Sequence, residues 1–477
     1  MTIWRPNLGE TAGPKYLRIA DAIGAGIADG SLTARDRLPT QRDLAFELGV
    51  SLNTVSRAYA EATRRGFLHG EVGRGTYVRT GGPLQADASN TGTAETAGPA
   101  AMTRPADGPV DFSRNLPAAG DSAAALAATL AALQSGDALA AYLDYQTDAT
   151  DRGRDRHGAA AAAWIGQLGL EVAGGEDVVL TNGAQHGLMV ALLTLLRPGD
   201  VLLTESLTYA PVKAMARHLD VRLLPVAMDA GGLAPDALDA ACRTTAARTL
   251  YCLPTLHTPT TITMTADRRR EIAAVARAHD LTIVEDDVFG FLPPDRPPPL
   301  AAFAPERTLF VTSVSKSLAP GLRVGYLHAP RRLRQPLRAA VNLTCWIPPP
   351  LMAAIASRWI EDGTARRLND FQRSEARARQ AMARDILRGH DVRSDPFGFQ
   401  AWLPLPAPWR ADAFRAAAER RGVKVLAGET FAVAPADTPQ AVRLCLSHEA
   451  TRARVTEGLT VLAALLDEPD ESGDLVV

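Results

Sequence analysis

The pattern of apolar and polar residues predicts three helices and a β-hairpin at the N-terminus. Apolar residues recur at helical spacing in three stretches. The predicted helices are Pro14–Asp29, Gln41–Leu48 and a third that runs from Ser51 to about Arg65. Thr40 and Ser51 are placed as N-caps, and Gly49 breaks the chain between the last two helices, which is typical of a helix-turn-helix. The segment Gly70–Val78 then predicts a two-stranded wing with Arg74 at its tip.

Beyond about residue 110 the pattern changes to buried strands that alternate with amphipathic helices. Such alternation is typical of an α/β domain. The predicted strands are Val178–Leu180, Val201–Thr204, Leu281–Asp287 and Thr308–Val314, followed by Gly398–Leu405, Val423–Val433 and Val442–Leu446 in a smaller C-terminal α+β domain. We expect helices at Asp267–His279 and from about Trp359 onward, and a solvated face at Arg268–Arg270.

Residues 81–109 are rich in Ala, Thr and Gly and have no periodic apolar face. This composition predicts a flexible linker. We therefore expect three parts: an N-terminal module at 1–80, a linker at 81–109 and a larger region at 110–477.

Composition and charge add two constraints. With 477 residues, 46% apolar content and a net charge of -2, the chain is expected to be soluble and to form two or more domains. Residues 1–80 carry a net charge of +3, which leaves -5 for the rest of the chain, so a basic module precedes an acidic body. The cysteines lack metal-site spacing and predict reduced core residues of a cytoplasmic protein: Cys242, Cys252, Cys345 and Cys445. No signal peptide or membrane-spanning run is evident.

Lys316 stands out because the chain has only four lysines against 47 arginines. It follows a predicted strand and is flanked by Ser313, Ser315 and Arg323. A primary amine forms a Schiff base and a guanidinium does not. The hydroxyls and the arginine would suit the phosphate of a phosphorylated aldehyde.

The motif S-x-S-K-x-x-x-P-G-x-R-x-G-Y at 313–326 resembles the lysine region of fold-type I aminotransferases, which use pyridoxal 5'-phosphate (PLP). The resemblance implies a large mixed-sheet α/β domain, a small C-terminal α+β domain and PLP bound to Lys316. The carboxylate of Asp286, at a strand end, is placed to hold the pyridinium N–H. The other implied cofactor contacts are Gly183, Ala184, Gln185, Tyr209, Thr258, Ser313, Ser315, Arg323 and, across a homodimer interface, Tyr145. The resemblance also places Arg443 at the α-carboxylate of a ligand and Asn115 nearby.

Two departures from the family pattern concern one cofactor atom. Thr258 stands where the family commonly has the Asn of N-P-T-G, and Phe289 stands where it often has Tyr. Both usual residues donate a hydrogen bond to the 3-oxygen of the cofactor. The sequence therefore predicts that the chain still binds PLP but has lost both donors to this oxygen. Such donors help to set the pKa of the aldimine, so we expect the tuning of the cofactor for turnover to be altered.

The first 80 residues carry a second resemblance. The stretch RLPTQRDLAFELGVSLNTVSRAYAEATRRGFL, followed by GRGTYV, resembles the GntR class of winged helix-turn-helix repressors, with Asp36 where the class usually has Gly. The third helix would enter the major groove, and Arg42 is the best candidate to read a guanine. The implied DNA contacts are Arg37, Gln41, Arg42, Ser51, Asn53, Thr54, Ser56, Arg57 and Arg74.

The combination of these two parts resembles the MocR subfamily of GntR regulators over essentially the whole chain. It implies a homodimeric, PLP-dependent transcription factor that binds double-stranded operator DNA and senses an amino compound by aldimine exchange at Lys316. The alternatives are an active aminotransferase that carries a DNA module, and a regulator that no longer binds PLP. Thr258 and Phe289 argue against the first alternative. The joint retention of Gly183, Asp286, Lys316 and Arg323 argues against the second.

Overall fold

The structure is a computed structural model, and the chain divides into two compact units, Met1–Pro99 and Ala100–Val477. It describes residues 4, 15–29, 31–33, 36, 38–64, 67–71, 75–78, 108–134, 142 and 151–468. Of the residues predicted to contact DNA or cofactor, Arg37, Arg74 and Tyr145 lie outside this part.

The N-terminal unit is a winged helix-turn-helix, as predicted. Its elements are α1 (Lys15–Ala28), α2 (Gln41–Glu47), α3 (Leu52–Arg64), β1 (Leu68–Glu71) and β2 (Gly75–Val78). The two strands pair antiparallel to form the wing. Thr40 caps α2, since its hydroxyl accepts a 3.2 Å hydrogen bond from the Asp43 N–H, and Ser51 accepts one of the same length from Thr54. Ile19, Ile23, Leu44 and Val55 lie in the fully buried core.

A mixed seven-stranded sheet forms the centre of the larger unit. Its strands are β4 (Val178–Thr181), β5 (Val201–Glu205), β6 (Arg222–Val226), β9 (Thr249–Cys252), β10 (Thr282–Asp286), β11 (Thr308–Ser313) and β12 (Gly325–His328), in the order β4-β12-β11-β10-β9-β5-β6. Between β6 and β9 lies the small hairpin β7 (Met228–Asp229) and β8 (Gly232–Leu233). Because β12 alone runs antiparallel to its neighbours, the carboxyl ends of the other six strands meet at one edge.

Helices cover this sheet and connect its strands. They are α4 (Ser122–Gln134), α5 (Asp151–Gly166), α6 (Ala184–Leu195), α7 (Ala210–His218), α8 (Pro235–Thr244), α9 (Ala266–Ala278), α10 (Leu300–Phe303), α11 (Arg331–Cys345), α12 (Pro350–Glu361) and α13 (Thr364–Ile386). Six of the seven strands are buried at all or all but one of their positions, as expected where helices pack on both faces of a parallel sheet, whereas the edge strand β6 is mostly half buried.

A small C-terminal layer completes this unit. Its sheet contains β13 (Arg393–Ser394), β14 (Gln400–Pro404), β16 (Leu426–Ala427) and β17 (Ala441–Cys445), packed with α14 (Ala411–Arg420) and α15 (Arg452–Asp467). The chain enters the unit through β3 (Val110–Asp111), which pairs in parallel with β15 (Val423–Lys424). The start of the larger region is thereby anchored to its C-terminal layer.

Three predictions about helices, strands and cysteines were wrong. The helix expected from about Trp359 is two helices, because Gly363 adopts φ +83° and ends the first of them. The segment Val423–Val433 is not one strand but β15, β16 and a 3-10 turn at Gly428–Thr430. Cys345 is only half buried, whereas the other three cysteines are buried as expected.

Arg269 is the clearest error, because it is fully buried rather than solvated. Its guanidinium donates to the carbonyl oxygens of Met264, Pro254 and Pro298 and lies 3.8 Å from the buried carboxylate of Glu285. A buried charge needs such partners. Among the described residues, no helix is long and apolar enough to cross a bilayer, and no acidic, His or Cys cluster fits a metal.

We predict that Arg269→Ala lowers the free energy of unfolding by about 3–5 kcal/mol, because it leaves the Glu285 carboxylate and several carbonyl groups buried without their partner. Urea unfolding of the full chain measures this. The matched control is Arg270→Ala, an exposed neighbour, with an expected change within about 0.5 kcal/mol. Equal losses in the two variants would contradict the prediction.

Candidate functional site

The carboxyl edge of the large sheet surrounds a cavity of about 130 Å³. Strands β4, β5, β9, β10 and β11 each end here, so residues distant in sequence meet. The lining comprises Asn115, Ala184, Gln185, Leu188, Tyr209, Leu253, Thr258, Asp286, Val288, Phe289, Ser313, Ser315, Lys316, Arg323 and Arg443. The structure thus brings together the described residues that the sequence predicts for cofactor and ligand, with Gly183 adjoining Ala184.

Lys316 is the amine of this cavity. It lies in the turn after β11, and its Nζ donates a hydrogen bond to the main-chain oxygen of Asn115. The same nitrogen is 5.6 Å from the centroid of the Phe289 ring. Burial lowers the pKa of Lys316 to about 8. The shift increases the fraction of this side chain that is a neutral, nucleophilic amine near physiological pH.

Asp286 presents an unused acceptor to the cavity. Its Oδ2 accepts a 2.8 Å hydrogen bond from the hydroxyl of Tyr251, while its Oδ1 is buried with no partner in the described part of the chain. Burial raises the pKa of Asp286 to about 6. An orphaned carboxylate oxygen in such a place fits a cationic N–H donor of a bound ring.

A third corner of the cavity suits a phosphate. Gly183 precedes α6 with φ +79°, and a Cβ there would lie 2.5 Å from Arg323 Nη2. Only glycine lets the guanidinium approach the N-terminus of α6, where main-chain N–H groups and the helix dipole favour an anion. Ser313 and Ser315 lie beside it, with the Ser315 N–H 3.3 Å from the Ser313 hydroxyl. Tyr209, which precedes α7, forms part of the wall.

Arg443 and Asn115 define the opposite side. Arg443 Nη2 donates a 2.7 Å hydrogen bond to the main-chain oxygen of Ser113, and its guanidinium lies 4.9 Å from the centroid of the Phe431 ring. Asn115 Nδ2 donates to Gln400 Oε1 at 2.7 Å. The planar fork of an arginine suits a carboxylate, which would have to replace the Ser113 oxygen.

Residues 109–462 match the family model described as aminotransferase class I and II. The chain belongs to this family. Residues 15–78 match the model for bacterial regulatory proteins of the gntR family. The pairing of a gntR domain with an aminotransferase class I and II domain bears out the resemblance to the MocR subfamily.

Similar proteins share this organisation or its larger part. The uncharacterized HTH-type transcriptional regulator YdeF of Bacillus subtilis is 29% identical over 98% of this chain and 97% of its own length. The vitamin B6 salvage pathway transcriptional repressor PtsJ of Salmonella typhimurium is 28% identical over 87% of this chain and 90% of its own length. The α-aminoadipate aminotransferase LysN of Thermus thermophilus superposes with a TM-score of 0.67 at 24% identity, over 75% of this chain and 92% of that structure, which establishes the fold.

In the gntR domain, most predicted DNA contacts lie on the surface. Gln41, Arg42, Ser51 and Arg57 are exposed, and Thr54 and Ser56 are half buried; the side chain of Asn53 lies outside the described part. The Thr54 hydroxyl is 2.8 Å from that of Ser51 at the start of α3. The Arg57 guanidinium lies 4.3 Å from the centroid of the Tyr16 ring. Asp36, which replaces the usual glycine, accepts hydrogen bonds from the N–H and hydroxyl of Thr33.

In the aminotransferase domain, sequence reasoning missed Tyr251, Gln400 and Phe431. Tyr251 reaches Asp286 because β9 pairs with β10 in a fixed register. Gln400 lies 285 residues from Asn115 and contacts it from β14. The adjacent strand pattern could have suggested Tyr251, whereas no local motif marks Gln400 or Phe431.

We predict that the reaction of Lys316 with formaldehyde under reducing conditions rises with pH and reaches half its maximum near pH 8, because only the neutral amine attacks the carbonyl group. Mass spectrometry of peptides from the ligand-free chain measures the labelling. Lys424, an exposed lysine, supplies the reference profile in the same sample. Identical profiles for the two lysines would contradict the prediction.

Proposed function

We propose that the chain is a PLP-dependent, DNA-binding transcriptional regulator whose aminotransferase-like domain senses an amino compound by covalent exchange at Lys316. The observation that carries the proposal is the cavity in which three features meet: a half-buried amine, a carboxylate oxygen that has no partner among the described residues, and a glycine-built anion site. The gntR domain on the same chain supplies the DNA-binding function. Both would act in the cytoplasm, on double-stranded operator DNA.

The relatives support this proposal. YdeF is named a transcriptional regulator and covers almost the whole chain, and PtsJ is named a repressor of a vitamin B6 pathway. We propose the division that the sequence predicts: a DNA-binding domain at 1–80, a linker at 81–109 and a cofactor and effector domain at 110–477. We also propose a homodimer, with Tyr145 reaching the partner's site.

The residues of the cavity take distinct roles. PLP supplies an electrophilic carbonyl group that captures amines when it is bound. Lys316 would hold it covalently, and Asp286 Oδ1 would accept from its ring nitrogen. Gly183, Ala184 and Gln185, with Ser313, Ser315 and Arg323, would bind its phosphate, and Tyr209 would stack on the ring. Arg443 would bind the carboxylate of an amino-acid effector, beside Asn115.

The geometry also suggests how binding is reported to the DNA module. The segment Ser113–Pro117, which we call the strap, follows β3 and so lies just after the linker. In this structure the oxygen of Ser113 is held by Arg443 and that of Asn115 by Lys316. PLP held on Lys316 would compete with the contact to Asn115, and an effector carboxylate that engages Arg443 would compete with the contact to Ser113. Such a ligand distinguishes two states of the strap, which coupling requires.

A second candidate is an active aminotransferase. The lowered pKa of Lys316 favours it, since a neutral amine beside the reacting atoms is suited to accept and return a proton. This function would convert bound PLP to its pyridoxamine form, whereas the sensor would not.

The test is to load the full chain with PLP and follow visible absorption while amino acids are added. We expect a band that Lys316→Ala abolishes and that one amino acid shifts without forming the pyridoxamine form. In the same titration, hydrogen exchange of the peptide at 112–118 should increase. Conversion to the pyridoxamine form would favour the enzyme, and the absence of a band that depends on Lys316 would overturn both functions.

The full chain first selects a DNA duplex from a random library. We predict that Arg42→Ala weakens binding to this duplex and lowers the discrimination between guanine and other bases at one position by about 1–3 kcal/mol. Lys15→Ala removes the same charge from the same unit without a base contact. It should weaken all duplexes alike. Fluorescence anisotropy on matched and substituted duplexes separates the two effects, and equal discrimination in the two variants would contradict the role of Arg42.

A further inference from the structure

Thr258 lies in a turn whose shape is fixed by the imidazole of His257. The His257 Nε2 is 3.0 Å from the main-chain oxygen of Leu207, and its Nδ1 is 2.8 Å from the hydroxyl of Thr260. A carbonyl oxygen only accepts, so Nε2 carries the proton and Nδ1 accepts from Thr260. Burial lowers the pKa of His257 to about 4, which keeps the ring neutral. The turn that presents Thr258 is therefore held by one defined tautomer.

The side-chain amide of Gln400 also has one defined orientation. Its Nε2 is 3.0 Å from the main-chain oxygen of His257, while its Oε1 accepts from Asn115 Nδ2 at 2.7 Å. A flipped amide would place its oxygen against the His257 carbonyl oxygen, two acceptors in contact. The amide nitrogen of Gln400 therefore faces His257 and Thr258.

This orientation sets the direction of the Thr258 hydroxyl. Gln400 Nε2 lies 3.2 Å from Thr258 Oγ1 and donates to it. In the described part of the chain, the acceptor for the hydroxyl proton is Gln400 Oε1 at 3.4 Å, which already takes the shorter hydrogen bond from Asn115. Thr258 lines the cavity that holds Lys316 and Asp286. An acceptor bound in that cavity would receive the Thr258 proton in preference to the long contact.

We propose that Thr258 donates a hydrogen bond to the ring oxygen of PLP beside Lys316, and that Gln400 is the positioning residue that fixes this direction. The inference rests on the proposed function. It replaces the sequence-based expectation that both donors to this oxygen are lost: Phe289 has no donor, but Thr258 keeps one. The donor is a hydroxyl on a short β-branched side chain, supported by an amide from the C-terminal layer.

The chemical consequence concerns the pH response of the bound cofactor. A donor to an anionic ring oxygen stabilises the form in which that oxygen carries negative charge. It therefore lowers the pH at which the absorption band that depends on Lys316 changes. Loss of the donor should raise this midpoint.

The test is a pH titration of the visible band in the PLP-loaded full chain. Thr258→Val, which keeps the shape and removes the hydroxyl, should raise the midpoint by about one pH unit, a tenfold change in proton affinity. Thr258→Ser, which keeps the hydroxyl, should stay close to the wild type. An unmoved midpoint in Thr258→Val, or an equal shift in Thr258→Ser, would overturn the proposal.

The role of Gln400 is tested by a double-mutant cycle. Gln400→Met, which removes the amide at similar volume, should raise the midpoint less than Thr258→Val does, and should add nothing in the Thr258→Val background. A shift of the same size in both backgrounds would show that Gln400 acts independently of Thr258. If the wild-type chain gives no band that depends on Lys316, the proposed function fails and this inference with it; a normal band that is indifferent to Thr258 removes the inference alone.

Discussion

The site depends on how three consecutive carboxylates are buried at the end of β10. Glu285 accepts hydrogen bonds from the N–H groups of Leu300 and Ala301 and lies near Arg269, and Asp287 lies 2.5 Å from the Arg296 guanidinium. Both partners approach from outside the cavity. Buried charges are tolerated only with such partners, so these two acids hold the strand end in place. Asp286, between them, lines the cavity; its Oδ2 accepts from Tyr251, and its Oδ1 has no partner in the described part of the chain.

The same principle of paired and unpaired groups shapes the rest of the cavity. Lys316 and Arg443 are basic side chains at the cavity wall, and each donates one hydrogen bond to a main-chain oxygen of the strap. Gln400 connects the strap to the turn at Thr258. These hydrogen bonds connect the strap, the two basic side chains and the turn at Thr258, while Asp286 Oδ1 and Arg443 Nε have no partner in the described part of the chain. A ligand has to offer equivalent partners before the network releases its own.

Much of this arrangement could be predicted from the sequence, because its chemistry is local. A few neighbouring residues are enough to recognise the motif around Lys316, the glycine turn at Gly183 and the acid at the end of β10. The winged helix-turn-helix could be predicted equally well, since caps such as Thr40 and the break at Gly49 mark the ends of its helices. These elements agree with the fold at every level, which is why simple patterns were sufficient.

Other features depend on three-dimensional proximity and could not be predicted. Arg269 resembles its solvated neighbours in sequence, but its acceptors are carbonyl groups of distant loops. The effect of Gln400 on Thr258 depends on the pairing of β14 with β17 and on the direction of one amide. From the sequence alone, Thr258 in place of the usual asparagine indicates that a hydrogen bond to the cofactor is lost. The contact between the Thr258 hydroxyl and Gln400 is visible only in the structure.

The strap has a consequence for how the sensitivity of such a protein can evolve. On the proposed function, the strap would act as a tethered internal competitor, because its carbonyl groups accept hydrogen bonds from the same two basic side chains that a ligand would use. The apparent affinity for the effector would then equal the intrinsic affinity multiplied by the fraction of molecules in which the strap has released these side chains. Substitutions within Ser113–Pro117 could therefore change the effector concentration that triggers a response, while the side chains that recognise the effector stay the same.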